Sequence, residues 1–484
     1  MYIEKKSQQV ALILSTSLAG FMALLDGNIV NISLPYIARY FHVGTGSVVQ
    51  IILVYMVVMA GTMIIFGKMA DQYGVKKVFI SGFIIFTVSS LLCGFSGSMA
   101  FLVSARAVQA MGASMLYSTG ISLISRFIPP DRRGWAFGIF SPMVSLGLLV
   151  GNPLGGLITG FLDWHWIFLI NVPVGIFAVL LAWKAIPGEK EQNGAIVGGH
   201  FDYAGALLSF AGLALLVFCL NQARKIGWDS PVMFIGFPLS ILLIVLFILQ
   251  EGKAADPILD LRIFRHREFA TGVIISLAGY GLLAGSGVLM PFLLTYVLHI
   301  KVEHAGFILM TFAVIFSAMS PVAGNLSDQV SKTRLMQSGM LLAFVASLFF
   351  IAFMGQMHLW VVFLFLVMQG IAYAFFITPN NNFIMSVADP DKQSISSSVF
   401  KLSTNLGQMT GIILMESLFA TALPTGFLAD GNHAAMLSQE TLASGFRWAY
   451  AGGAGLCLIA LILSATMQDR KIGVHAGDGE GGLL

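Results

Sequence analysis

Apolar runs that are long enough to cross a lipid bilayer recur along almost the whole chain. A helix needs roughly 20 apolar residues to span a hydrocarbon core of about 30 Å, and about fourteen segments of this sequence meet that requirement. Of the 484 residues, 57% are hydrophobic and 10% are charged, against roughly 25% charged in a soluble domain. A water-soluble fold could not bury so much apolar surface. The sequence therefore predicts an all-α integral membrane protein.

The basic residues predict how these segments are oriented. Most of the 26 Lys and Arg residues fall in cytoplasmic loops if the N-terminus lies inside, and cytoplasmic loops are enriched in these residues. We therefore expect both termini in the cytoplasm of a multi-pass protein of the cell (plasma or inner) membrane, with the lipid bilayer as its surroundings. The small, dispersed net charge of +3 predicts no nucleic-acid partner. The three cysteines form no C-x-x-C pair, and the pattern predicts no metal site.

A short segment occurs twice and indicates an internal duplication. Residues 67–77 read GKMADQYGVKK, and residues 324–334 read GNLSDQVSKTR. Both follow the second span of a half, and both are predicted to be cytoplasmic loops. Because the two copies are too far apart for a half of six helices, we expect an inserted helix pair. The predicted organisation is a six-helix bundle over 1–200, an inserted pair over 201–252, and a second six-helix bundle with a short tail over 253–484.

Four further motifs follow in the order of the spans: LLDGNIVNISLP, LVSARAVQAMGAS, GLLVGNPLGG and WHWIFLINVPVG. With these motifs and the repeated segment, almost the whole chain resembles the major facilitator superfamily, and within it the fourteen-helix drug:proton antiporter branch of multidrug efflux type. The resemblance implies two bundles that rock around a central cavity. The chain departs from the family at His165, where the family has an arginine, and the functional consequence of that change stays open.

Two charged residues are predicted to lie deep in the membrane. Asp26 is about 16 residues into the first span, which places it roughly 24 Å from the inner surface, and Arg106 enters the fourth span to the same outer layer. Charged groups at this depth need a partner or water. Asp26 could serve proton coupling or could be an interfacial acid that is bound to Asn28 or Asn31. For Arg106 the resemblance implies a proton-relay or gating role, and the alternative is a side chain that snorkels to the headgroups.

The thirteenth span carries a second deep acid, Glu416. Asn405 lies on the same helix face, and Gln408 is nearby. Because removal from water favours the neutral form of a carboxylic acid, Glu416 could bind and release a proton or meet a cationic cargo. The alternative is an interhelical hydrogen bond. Lys401, at the inner end of the same span, can snorkel.

Several amides are candidates for the wall of a cargo cavity. In the twelfth span Pro379 and three following Asn residues are predicted to interrupt the helix, which is tolerable only where it faces protein or a water-filled cavity. The cavity candidates are Asn31, Gln109, Asn380, Asn381, Asn405 and Gln408.

Glycines in the fifth span recur every four residues, at Gly147, Gly151 and Gly155, beside Pro153 and Gly156. This spacing lets a neighbouring helix approach closely. It is compatible with plain packing, and the resemblance implies the flexible interface that is typical of antiporters.

The duplicated segment carries an acid in each copy, Asp71 and Asp328. We expect these segments to act as conformational latches that stabilise one state of the transport cycle. The candidate latch residues are Gly67, Asp71, Gly74, Lys76, Lys77 and Asp328.

These features together predict a transporter and not an enzyme. No G-x-x-x-x-G-K-S/T phosphate loop occurs, so we expect a proton gradient to supply the energy, with no cofactor. The predicted function is proton-coupled export of small organic substrates, amphipathic and cationic, as in multidrug efflux and antibiotic resistance. The alternatives are export of an endogenous lipid, siderophore or metabolite and, in another class, a non-transporting receptor or assembly subunit.

Overall fold

The computed structural model describes residues 2–187, 202–226, 230–253, 267–356, 358–387, 393–422 and 439–466. Within these ranges the chain folds into helices joined by short connections. The α-helices are α1 (Lys6–Tyr40), α2 (Thr45–Val48), α3 (Gln50–Tyr73), α4 (Val75–Gly94), α5 (Met99–Phe127), α6 (Arg133–Phe161), α7 (Trp166–Leu169), α8 (Asn171–Ala185), α9 (Tyr203–Ile226), α10 (Pro231–Glu251), α11 (Arg267–Phe292), α12 (Val302–Gln329), α13 (Lys332–Phe353), α14 (Leu359–Val387), α15 (Gln393–Thr421) and α16 (Gln439–Ala465).

Within the described ranges, twelve helical segments are long and apolar enough to cross a membrane, which confirms the predicted all-α membrane fold. Two further long helices, α9 and α15, do not reach this standard over their described residues. The apolar part of α9 is confined to Ala204–Leu220. In α15 the charged and amide side chains of Lys401, Asn405 and Glu416 lower the hydropathy. The count of fourteen spans therefore stays a prediction.

The helices pack in two groups. In the N-terminal group, α1 packs on α6, and α5 packs on α3 and α4. In the C-terminal group, α11 packs on α15 and α16, and α14 packs on α12 and α13. Helices α9 and α10 pack on each other, and α9 also contacts α3 and α15. The two groups meet through α6 with α12 and α1 with α11. The predicted boundary after residue 200 lies outside the described residues, and the predicted three-part division remains a prediction.

The glycine repeat of α6 lies against α1. A Cβ at Gly147 would stand 2.5 Å from the carbonyl oxygen of Phe21, and one at Gly151 would stand 2.6 Å from Asn28 Cβ. Gly155 meets α1 in the same way, at Ile29 and Ile32. The close approach of a neighbouring helix that the spacing predicts is therefore present.

Gly156 contacts the other helix group. A Cβ at this position would lie 2.5 Å from the carbonyl oxygen of Val302, at the start of α12. Gly306 of α12 packs in return on the backbone of Asn152. Pro153 lies between these contacts, and α6 continues through it. Backbone contact at this point therefore joins the two groups.

The duplicated segment is mostly helical in both copies, so the predicted extent of the loop was wrong, and only one or two residues connect the helices. Helix α3 continues to Tyr73, and α12 continues to Gln329. Neither copy contains a proline that would stop the helix, and Lys68, Met69 and Ala70 of the first copy are good helix formers. Gly74 ends α3 with a φ of 99°, a conformation that suits glycine.

The latch itself stays a prediction, because the side chains of Asp71 and Asp328 lie outside the described residues. The contacts of Lys76 are described, and they are made with backbone carbonyl groups. Its Nζ donates hydrogen bonds to the carbonyl oxygens of Trp183, at 3.1 Å, and of Ile186. Lys76 therefore binds the free carbonyl groups at the C-terminal end of α8, whereas Lys77 is exposed.

The predicted interruption of the twelfth span was also wrong. Helix α14 runs from Leu359 to Val387 without a break at Pro379. Proline removes one backbone donor, which a packed membrane helix tolerates where neighbouring helices and polar side chains compensate. Close to it, the amides of Asn380 and Asn382 donate to Ser276 of α11 and Ser327 of α12.

Candidate functional site

A cavity of about 600 Å³ lies between the two helix groups. Its wall takes residues from α1, α3, α5 and α6 on one side and from α11, α12, α14 and α15 on the other. Apolar side chains dominate the wall, with a few polar groups among them, which is the usual composition of a small-molecule site. The cavity is therefore the candidate cargo site.

Directly behind this wall, Asp26 and Arg106 form a buried ion pair. Arg106 Nη1 lies 2.6 Å from Asp26 Oδ2, and the two side chains are 1% and 0% exposed. Gln109 donates from Nε2 to Asp26 Oδ1 at 3.1 Å and to Ser90 Oγ at 2.8 Å, and its Oε1 accepts from Arg106 Nη1 at 2.6 Å. A buried pair is tolerated when further hydrogen bonds support it, and here Gln109 bonds to both partners. The placement of both residues in one layer, predicted from their depths, is confirmed.

Arg106 also contributes to the cavity wall. Its guanidinium carbon lies 4.1 Å from the ring centroid of Tyr55 and 5.6 Å from that of Phe168. Among the described residues, Arg106 Nε and the Tyr55 hydroxyl have no hydrogen-bond partner. Arg106 is thus the link between the buried Asp26 and the cavity.

Sequence reasoning missed two neighbours of this pair. Asn171 Nδ2 lies 3.5 Å from Asp26 Oδ1, and Tyr55 covers the guanidinium of Arg106. Asn171 belongs to the WHWIFLINVPVG motif, so an amide within an apolar motif was an available signal. Tyr55 had no such signal, because it is one aromatic residue in a long apolar run.

The structure divides the six amide candidates into two sets. Four line the cavity: Asn31, Asn381, Asn405 and Gln408. The carbonyl oxygens of the Asn31 and Asn381 side chains are buried without a hydrogen-bond partner among the described residues. The other two serve the protein interior, since Gln109 binds Asp26 and Asn380 donates to Ser276 Oγ at 2.8 Å.

Glu416 is not brought together with Asp26. It accepts a hydrogen bond at 3.3 Å from Oγ1 of Thr45, the first residue of α2. Its Oε1 would stand 2.9 Å from a Cβ at Gly46, so it packs directly on that backbone. Glu416 is absent from the described cavity wall. It joins α15 to the outer end of the N-terminal group.

Other contacts also close the side that is predicted to face outward. The Tyr296 hydroxyl donates to the carbonyl oxygen of Pro35 at 3.3 Å. The guanidinium of Arg39 lies 4.8 Å from the centroid of the Tyr296 ring. These contacts connect the outer end of α1 with the π-helical turn Leu293–Val297 that follows α11, and together with Glu416 they form the outer seal between the groups.

Lys401 was expected to snorkel, but the structure places it in the cavity wall. Its Nζ lies 4.9 Å from the ring centroid of Tyr117 on α5. Arg106 and Lys401 are both basic, and the described residues of the wall contain no carboxylate.

Residues 16–411 and 269–478 match the family model of the Major Facilitator Superfamily, so the match extends over nearly the whole chain. This chain belongs to the major facilitator superfamily. It is 30% identical over 446 residues to the riboflavin transporter RibZ of Clostridioides difficile, with 92% of this chain and 94% of that protein covered. It is 28% identical over 408 residues to the multidrug export protein EmrB of Haemophilus influenzae, with 84% and 79% covered.

The fold is also similar to that of a bacterial homologue of the human lysosomal transporter Spinster, in an inward-facing, unoccupied conformation. The TM-score is 0.68 at 15% identity, and 95% of this chain and 97% of that chain are covered. The protein is therefore a multi-pass membrane transporter and not an enzyme, with relatives among multidrug efflux proteins.

Proposed function

We propose that this transporter exports amphipathic organic compounds in exchange for protons, by alternating access around the central cavity. The observation that carries the proposal is the position of Arg106. It lines the cavity on one side and pairs at 2.6 Å with the fully buried Asp26 on the other. A group that can take up a proton thus lies one side chain away from the space for cargo.

The pair supplies a physical link between proton and cargo. When Asp26 is ionised, it neutralises Arg106 and holds the guanidinium in the wall. When Asp26 is protonated, Arg106 becomes a buried cation that needs other acceptors, and the unpartnered oxygen of Asn31 lies in the same wall. Because cargo would use the same polar groups, proton uptake and cargo binding oppose each other, as antiport requires.

The apolar walls favour ring-containing cargo of variable shape. Met56, Met59 and Met63 of α3 recur at helical spacing and line the cavity. On α12, the rings of Phe312 and Phe316 stack with centroids 5.9 Å apart. Flexible thioethers adapt to irregular ligands, and aromatic faces stack on planar ones.

Cationic cargo, which the sequence led us to expect, receives no support from the described residues of the wall. Both acids of the hypothesis lie outside it: Asp26 is occupied by Arg106, and Glu416 belongs to the outer seal. We therefore propose amphipathic compounds with aromatic rings and do not require a positive charge.

A second candidate is transport of a planar metabolite. The similarity to a protein named as a riboflavin transporter favours it, since that similarity covers 92% of this chain. The mixture of ring-stacking side chains and amides in the wall suits a flat molecule with polar edges. Transport of riboflavin and of an unrelated amphipathic dye, measured side by side, distinguishes the candidates. A dedicated metabolite carrier would transport riboflavin and would not transport the dye.

The test is transport into proteoliposomes under an imposed pH gradient, with N-phenyl-1-naphthylamine as a neutral amphipathic dye. We expect uphill movement of dye together with proton flux in the opposite direction. Asp26→Asn keeps the size of the side chain but removes the proton site, so we expect uphill transport to be lost.

Asp131→Asn is the matched control, because the Asp131 side chain is 75% exposed and pairs loosely with Arg132 at 3.8 Å. This variant should transport like the unmodified protein. Undiminished uphill transport by Asp26→Asn would refute proton coupling at this residue.

A further inference from the structure

Lys401 is a cationic group in the cavity wall that the proton-coupling proposal does not use. Helix α15 begins at Gln393, so Lys401 lies about 12 Å along the helix from that end. Its Nζ lies 4.9 Å from the ring centroid of Tyr117, which belongs to the opposite helix group. The ammonium group is therefore held at the inner part of the cavity, between α15 and α5.

The two cations of the wall differ in how their charge is compensated. Arg106 has Asp26 at 2.6 Å. Within the described residues, no carboxylate forms an ion pair with Lys401, and the wall contains none. The ring of Tyr117 offers a weak electrostatic partner. A lysine that is partly removed from water is better stabilised by an anion, and the cavity next to it has room for one.

The two cations lie at opposite ends of the cavity. Tyr117 follows Arg106 on α5 at a distance of about 16 Å along the helix, so Lys401 and Arg106 mark opposite ends of the cavity. Between them lie the methionine and phenylalanine walls. Asn405 and Gln408 follow Lys401 at one and two turns on the same face of α15, and both line the cavity.

We propose that the cavity binds amphipathic organic anions, with a carboxylate, sulfonate or phosphate group against Lys401 and the apolar ring system between Lys401 and Arg106. Lys401 is then the residue that sets the charge preference of the transporter, and Asn405 provides an amide donor beside the anion. This inference rests on the proposed role of the cavity as the cargo site, and it reverses the cationic preference that the sequence suggested.

The experiment compares two dyes that differ in one charged group. These are 8-anilinonaphthalene-1-sulfonate and N-phenyl-1-naphthylamine, which is the same ring system without the sulfonate. Binding of each dye to the purified full-length protein in detergent is measured by equilibrium dialysis, with a blank of protein-free detergent. No proton gradient is present, so this binding result does not depend on whether transport is coupled to protons.

We expect the unmodified protein to bind the sulfonate more tightly than the neutral dye. Lys401→Gln should weaken binding of the sulfonate about tenfold, which corresponds to the loss of one charge-assisted hydrogen bond, and should leave the neutral dye within about twofold. Lys401→Arg keeps the charge and should retain the preference. Lys253→Gln removes an exposed lysine outside the cavity and should change neither dye.

Two results would overturn the proposal. One is tighter binding of the neutral dye by the unmodified protein. The other is an equal loss of both dyes in Lys401→Gln, which would make Lys401 a packing residue. Failure of the antiport proposal looks different, because it would appear as binding of the dyes without uphill transport in proteoliposomes.

Discussion

In the N-terminal helix group, Asp26 and Arg106 meet at 2.6 Å and share Gln109, so their charges cancel within one hydrogen-bonded cluster. In the C-terminal group, Glu416 and Lys401 lie on the same helix but about 22 Å apart along its axis, and each contacts the opposite group. Protonation of Asp26 ends this cancellation and leaves the charge of Arg106 at the cavity wall, so the pair can transmit proton uptake to the cargo site. Separated charges can instead act on the outer seal and on the cargo. We therefore assign proton coupling to the N-terminal group, and cargo selectivity and closure of the outer seal to the C-terminal group.

The strongest test of this comparison is a double-mutant cycle on the buried pair. Asp26→Asn or Arg106→Gln alone leaves a buried charge without its partner, which costs about 3–5 kcal/mol. The double variant leaves neither charge and should recover a large part of that loss. The measurement is the thermal unfolding midpoint in detergent, together with transport, which we expect to be lost in all three variants.

The exposed pair of Asp131 and Arg132 provides the control cycle, because its side chains are 75% and 49% exposed. Exposed pairs contribute about 0–1 kcal/mol, so the same substitutions there should be nearly additive. Additive losses at Asp26 and Arg106 would contradict the view that the two charges cancel.

The second test concerns the backbone contact between the groups. Gly156→Ala introduces a Cβ only 2.5 Å from the carbonyl oxygen of Val302, so α6 and α12 must separate. Overpacking of this kind typically costs about 1–3 kcal/mol, and we expect a lower unfolding midpoint and slower transport.

Gly138→Ala is the matched control in the same helix, because nothing lies within 4 Å of a Cβ at Gly138. Alanine also favours the helix over glycine, so this variant should be at least as stable as the unmodified protein. Equal effects at both positions would show that the contact of Gly156 with α12 has no special role.

The sequence was informative where a residue type or a spacing requires one kind of neighbour. A carboxylate and a guanidinium were predicted at the same depth, where each needs a partner or water, and the structure shows that Asp26 is bonded to Arg106. A glycine every fourth residue predicted close helix packing, and α6 lies directly on α1. In both cases the requirement depends only on the position of the residues along their own helices, so it can be inferred from spacing alone.

The sequence failed where the outcome depends on which neighbour a helix face meets. Glu416 and Asn405 were predicted on one helix face, but spacing did not show that Asn405 would line the cavity while Glu416 would meet Thr45. Lys401 could have reached the membrane surface, and instead it contacts Tyr117 across the cavity. Tertiary packing between the two groups decides which neighbour each of these side chains meets. Residue spacing within one helix does not contain that information.

The smallest expected effect belongs to Glu416→Gln, and it separates the outer seal from the cargo site. Glutamine has the same shape as glutamate and keeps a side-chain oxygen that can accept the hydrogen bond from Thr45, now 3.3 Å long. Because Glu416 is outside the described cavity wall, loss of its charge should leave the ratio of cationic to neutral dye export unchanged and should alter the rates less than about twofold. Export is measured in inverted vesicles under one imposed pH gradient, with Thr45→Val as the companion variant that removes the donor. A selective loss of the cationic dye in Glu416→Gln would place this acid on the cargo path and would contradict its assignment to the outer seal.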